Sequence, residues 1–184
     1  MSQRKPNLLQ VRLIGDKVLN QVAEPIKEIT QEILDFAEDL TYTMYEKDGI
    51  GLAAPQVGVS IRMFVIDPFW GDEEPQKNPI VLINPKFTHF EGEVDSEEGC
   101  LSIPEIFETV KRAEKVEITG LNLKGEQVKY VADELFGRAL QHEYDHLEGI
   151  LFTDKLPKMK KLLIKKKLKA LMSTTDENGV NIGV

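Results

Sequence analysis

Residues 141–149 read QHEYDHLEG, placing two histidines four positions apart with a glutamate directly after the first. On an α-helix, positions i and i+4 lie one above the other, so His142 and His146 can aim both imidazoles at one ion. Glu143 is turned roughly 100° away, within reach of a water on that ion without being a ligand. The pattern is that of a metal site on a helix. Two ligands do not complete it, and the identity of the third selects the chemistry.

The run continues H-E-Y-D-H-L-E-G-I-L-F. A metzincin protease needs histidine where this chain has Phe152. A downstream glutamate of the thermolysin kind needs a second helix, yet after Glu148 the only acids are Asp154, Asp176 and Glu177. The strong donors upstream are His89 and Cys100. His89, in FTHFEGEV, alternates like an ordinary strand or turn residue. Cys100, in EEGCLSIP, follows a glycine and precedes a proline by four, a segment able to present a thiol. A Cys-His₂ set leaves one coordination position open, which marks a catalytic metal, and leaves a divalent ion positive enough to acidify water.

Three segments together resemble the peptide deformylases. Gly49-Ile50-Gly51-Leu52-Ala53-Ala54-Pro55-Gln56 is similar to that family's glycine-rich motif, Glu98-Gly99-Cys100-Leu101-Ser102 to its second, and Gln141-His142-Glu143-Tyr144-Asp145-His146 to its third. The similarity spans about residues 8 to 157. It implies removal of the formyl group from the N-terminal formyl-methionine of nascent polypeptides, releasing formate. A metal-held water would be the nucleophile and Glu143 the general base, then acid. The oxyanion would be held by the metal, the Gln56 side-chain N–H and the Leu101 backbone N–H. The resemblance also implies ferrous iron in the cell, with zinc, nickel or cobalt able to occupy the same ligands. Ala113, where many relatives have proline, and the bulky Tyr144 depart from the common pattern without touching a ligand.

Gly49 and Gly51 suit either a plain turn or a backbone that receives a peptide edge-on. Ile50, Leu135 and Ala139 are candidate walls for the methionine side chain. Glu98, Arg112 and Asp145 are candidates for ion pairs that hold the ligands still, scattered surface charge being the other reading for Arg112. Arg138, one turn before His142, faces either the pocket mouth or solvent. Two competing functions remain: a metallopeptidase or other amidase on the same helix, and a non-catalytic RNA-binding module. Against the second, a structural metal takes four protein ligands, and only three are found.

The elements must bring these residues together. Ile33, Ala37, Leu40 and Met44 recur on one face of a helix over 30–46, capped by Thr30. GIGLAAPQVG reads as a loop, RMFVID and IVLIN as strands, and KVEITGLNLKGEQVKYVA as a hairpin. PFWGDEEPQKNP, with the sole tryptophan, is an exposed segment and a candidate lid. Asp133 can cap a helix over 134–148, with Gly149 as its stop and Gly137 marking close packing. The expected fold is α+β, antiparallel strands packed around a central metal-binding helix with N- and C-terminal helices. Residues 1–157 form one catalytic domain, 158–172 a lysine-rich helix and 173–184 a loose tail.

The chain has 184 residues, a net charge of −8 and a single cysteine. One cysteine precludes an internal disulfide and fits a reducing compartment. The apolar runs are too short for a membrane span, and the N-terminus lacks the apolar region of an export signal, so a cytoplasmic location is expected. KLPKMKKLLIKKKLK carries eight lysines and no acid. Such a helix either contacts a polyanion, ribosomal RNA for this family, or simply has a solvated face.

Overall fold

The computed structural model describes residues 4–70 and 76–183. Helix α1 (Gln31–Glu46) opens where the Thr30 side chain accepts from the Ile33 N–H, and it buries Ala37, Leu40 and Met44. Strands β1 (Gly51–Ala53), β2 (Met63–Ile66), β3 (Ile80–Glu91), β4 (Val94–Cys100), β5 (Ile103–Arg112), β6 (Lys115–Leu121) and β7 (Gln127–Ala132) follow. Five of them form one antiparallel sheet in the order β1-β2-β3-β6-β7, and β4 with β5 forms a separate hairpin. Helices α2 (Glu134–Leu147) and α3 (Lys158–Met172) complete the chain.

Both faces of β2 are covered, which is why its four residues are all buried and apolar. Phe64 and Ile66 pack with Leu82, Ile118 and the α2 residues Ala139, Leu140 and Leu147. Met63 and Val65 pack with Leu40 and Met44 of α1. The metal-binding helix therefore lies on one sheet face and α1 on the other. A third cluster joins Ile103, Ile106 and Val110 of β5 to Phe152 and Leu156, which precede α3, and to Ile164 within it. Each such buried side chain contributes about 1.5–3 kcal/mol. The expected α+β arrangement around a central helix is present.

Several expectations need correction. GIGLAAPQVG is not wholly a loop: Gly51–Ala53 pairs with Ile66, Val65 and Phe64, and Ala54–Val57 is a 3-10 turn ended by Gly58 at φ 88°. Asp133 occupies the cap position of α2, but its side chain makes no capping bond. The tail is not loose over its described part, because Asn181 is fully buried and bonded to Asp16, Ile14 and Leu171. Gly137 does mark close packing: a Cβ there would stand 3.0 Å from the Ala132 carbonyl oxygen. Among the described residues no helix is long and apolar enough to cross a membrane.

Candidate metal centre and its cleft

Cys100 ends β4 at a shift in register, where the pairing passes from Glu98–Glu108 to Cys100–Ile103. Leu101 and Ser102 make the tight turn, outside either ladder. A Cβ at position 99 would displace the exposed Phe107 ring, which packs over Gly99. The hairpin thus delivers the thiol to α2 from across the cleft. Cys100 Sγ lies 3.4 Å from His146 Nε2, which lies 3.3 Å from His142 Nε2. Metal bonds of about 2.0–2.3 Å at tetrahedral angles separate donors by roughly 3.3–3.6 Å. The three ligand atoms all lie within 4.8 Å of one another and fit one divalent ion.

A chain of charges fixes these ligands. His142 Nδ1 meets Glu98 Oε2 at 2.8 Å, which leaves Nε2 for the metal. Arg112 donates to both Glu98 oxygens at 2.7 and 2.8 Å and, through its other nitrogen, to Asp145. Lys155 reaches Asp145 at 3.2 Å. Burial works to raise the Glu98 carboxyl, but the bonds from Arg112 and His142 hold it down at about 2. Burial opposes charge on His142 as well, yet Cys100 and Glu98 raise its pKa. Burial, aided by the neighbouring His142, pushes His146 down, the direction that suits a neutral metal ligand.

Glu143 is buried, and its Oε2 has no hydrogen-bond partner among the described residues. Desolvation pushes its carboxyl up to about 7. It rests against Gly51, where any Cβ would overlap the carboxylate. Gln56 is also buried. Its Oε1 accepts from the Ala53 N–H at 2.9 Å, which turns Nε2 toward Cys100 Sγ at 3.3 Å and Ser102 Oγ at 3.2 Å.

Gln56, Glu98, Cys100, His142 and Glu143 line a cleft of about 760 Å³ together with Gly49, Ile50, Gly51, Leu101, Arg138 and Ala139. Leu135 stands at its rim, 42% exposed, whereas Ala139 is buried. Arg138 makes no hydrogen bond or ion pair among the described residues. Phe107, Pro104 and Glu105 also line the cleft and were missed from sequence, because the hairpin that carries them was not anticipated. Ser102 stood inside a recognised motif without being given a role. His89 sits exposed on β3 beside Glu91, away from the centre. Phe152 stacks on the His142 ring, so that position supports a ligand instead of supplying one. Trp70 packs edge-on against Tyr45, with centroids 4.7 Å apart, and does not line the cleft; residues 71–75 of the candidate lid lie outside the described residues.

Known proteins resemble this chain over most of its length. A peptide deformylase of Thermodesulfovibrio yellowstonii is 45% identical over 162 residues, covering 88% of this chain and 97% of that one. One from Acidobacterium capsulatum is 46% identical over 156 residues, covering 85% and 91%. The crystal structure of a peptide deformylase from Legionella pneumophila superposes with a TM-score of 0.83 at 38% identity, over 89% of this chain and 95% of that one. The sequence profile described as polypeptide deformylase matches residues 8–162, and the chain belongs to that family.

Proposed function

We propose that, in the removal of the formyl group from N-formylated nascent polypeptides, Glu143 is the general base and acid, with Gln56 and Leu101 as oxyanion donors. The observation that carries this reading is the Glu143 Oε2, buried without a hydrogen-bond partner among the described residues, beside three convergent metal-ligand atoms in an open cleft. Cys100, His142 and His146 would hold the metal, whose Lewis acidity makes water a nucleophile near neutral pH. Glu143, held near 7 by burial in the metal-free protein, takes a proton from water and returns it to the departing amine. The C–N bond breaks, the new C–O bond forms, and formate leaves. Negative charge gathers on the formyl oxygen, where the Gln56 Nε2–H and the Leu101 N–H supply preorganised donors, each typically contributing about 2.7–4 kcal/mol. Gly49, Ile50, Gly51, Leu135 and Ala139 receive the methionyl end of the substrate. Glu98, Arg112 and Asp145 keep the His142 ring in place.

Ferrous iron is the metal we infer for the cell, on the strength of the family resemblance; zinc, nickel and cobalt suit the same donor set. Contact with the ribosome through α3 and a cytoplasmic location belong to the same reading. Lys158, Lys165, Lys166, Lys167 and Lys169 make no hydrogen bond or ion pair among the described residues and are exposed, which supports that contact.

The test is Glu143→Ala. Metal content after anaerobic purification should be unchanged while formate release from formyl-Met peptides falls by about 10²–10⁴-fold. Retained turnover would overturn the role of Glu143. Acetyl-Met peptides should be inert, because a formyl carbonyl carries only hydrogen.

A further inference from the structure

The residues behind the cleft are tied to the far end of the chain. Gln56 and Ser102, whose side chains meet at 3.2 Å, come from separate elements, the 3-10 turn and the β4–β5 turn. One extended segment near the N-terminus holds both. The Arg12 N–H donates to the Gln56 carbonyl at 2.7 Å, and the Ile14 N–H donates to the Ser102 carbonyl at 2.9 Å. The intervening Leu13 N–H turns the other way and donates to the Asn181 carbonyl at 2.7 Å.

Asn181 uses all its polar groups in this contact. Its Nδ2 donates to the Ile14 carbonyl at 2.7 Å and to the Leu171 carbonyl at the end of α3 at 2.8 Å. Its Oδ1 accepts from Thr174 Oγ1 at 2.6 Å, and its N–H donates to the buried Asp16 carboxylate at 3.0 Å. A fully buried asparagine satisfied this way fixes the backbone around it, since any slack would leave amide groups unpaired away from water. Gly15 is pressed so closely under this strap that a Cβ would meet Thr175 and Met172.

We propose that Asn181 is a positioning residue: through residues 12–14 it sets where Gln56 and Ser102 stand at the metal centre. The match to the family profile ends at residue 162, so Asn181 lies outside the residues it covers. The proposal rests on the reading of Gln56 as an oxyanion donor. Asn181→Ala should remain folded and metal-loaded, with kcat lowered about tenfold and KM nearly constant, because misplaced donors weaken only the transition state. Amide exchange at Arg12 and Ile14 should quicken. In a Gln56→Ala background the same substitution should cost no further activity, a result that general destabilisation does not produce.

Thr174→Val, which removes a single donor to Asn181, should show the same split at smaller amplitude and serves if Asn181→Ala does not fold. An unchanged kcat in a folded, metal-loaded variant overturns the proposal. So does an equal loss in the Gln56→Ala background, or continued protection of the Arg12 and Ile14 amides. If Gln56→Ala itself leaves kcat intact, the oxyanion reading falls and this proposal with it. If Gln56→Ala lowers kcat and Asn181→Ala does not, the positioning inference alone falls.

Discussion

Gly51 is specified by the side chain it faces. Its missing Cβ is the space the Glu143 carboxylate occupies, so the glycine-rich motif makes room for that side chain as well as shaping a strand. Gly51→Ala should therefore push the carboxylate from its seat while leaving Cys100, His142 and His146 in place. We expect kcat to fall by about 10²-fold with bound metal unchanged, read by steady-state kinetics beside metal analysis. At this scale the sequence was most legible where spacing is local: His142, Glu143 and His146 follow from helical geometry alone. Cys100 needed elimination, and Gln56 needed the family resemblance, because an isolated glutamine carries no signal of the Ala53 N–H that turns it.

Among the elements, the β4–β5 hairpin escaped the sequence reading for a physical reason. Its inward positions on β4 are Ser96 and Glu98, buried polar residues where an amphipathic strand would show apolar ones. Glu98 can be buried because Arg112 on the paired strand neutralises it, so the alternation exists but is written in charge. α1 and α2, with apolar stripes at helical spacing, were readable. The ion pair has a testable cost. Arg112→Met leaves Glu98 buried with only the His142 ring as a partner and should destabilise the fold by about 3–5 kcal/mol in urea titrations. It should also weaken metal affinity by about 10–100-fold, since Glu98, the partner of the His142 ring, loses the guanidinium that holds it.

On the scale of the whole molecule, the surface is divided between an acidic body and a basic α3. That helix is not separable from the body, because Ile164, Leu168 and Leu171 join the cluster under β5. Deleting it would expose that cluster, so exposed lysines make the cleaner probe. Replacing Lys165, Lys166, Lys167 and Lys169 by glutamine should leave deformylation of short peptides intact while weakening ribosome co-sedimentation and flattening its salt dependence. Unchanged sedimentation would remove α3 from the contact. At the opposite end, Arg4 and Asn7 bind the buried Asp39 of α1, with Arg4 Nη2 and the Asn7 N–H each at 2.7 Å. Burial works against the Asp39 charge, but these bonds lower its pKa below the ordinary 3.8. A depressed carboxyl stabilises the fold above its unfolded pKa, so this contribution should be complete above about pH 4 and vanish as pH falls through the folded value. The stability difference between the protein and Asp39→Ala should shrink in that acidic window in urea titrations of metal-free protein. The tail was read as loose because its sequence is polar, and it is polar because its docking is made of hydrogen bonds. That docking has a consequence for the order of synthesis. The bonds from Asn181 to Asp16 and Ile14 join residues 165 and 167 positions apart. A growing chain that has already emitted its metal ligands cannot close this seam until residue 181 has been made, so the ligands are all in hand before the contact behind them can form.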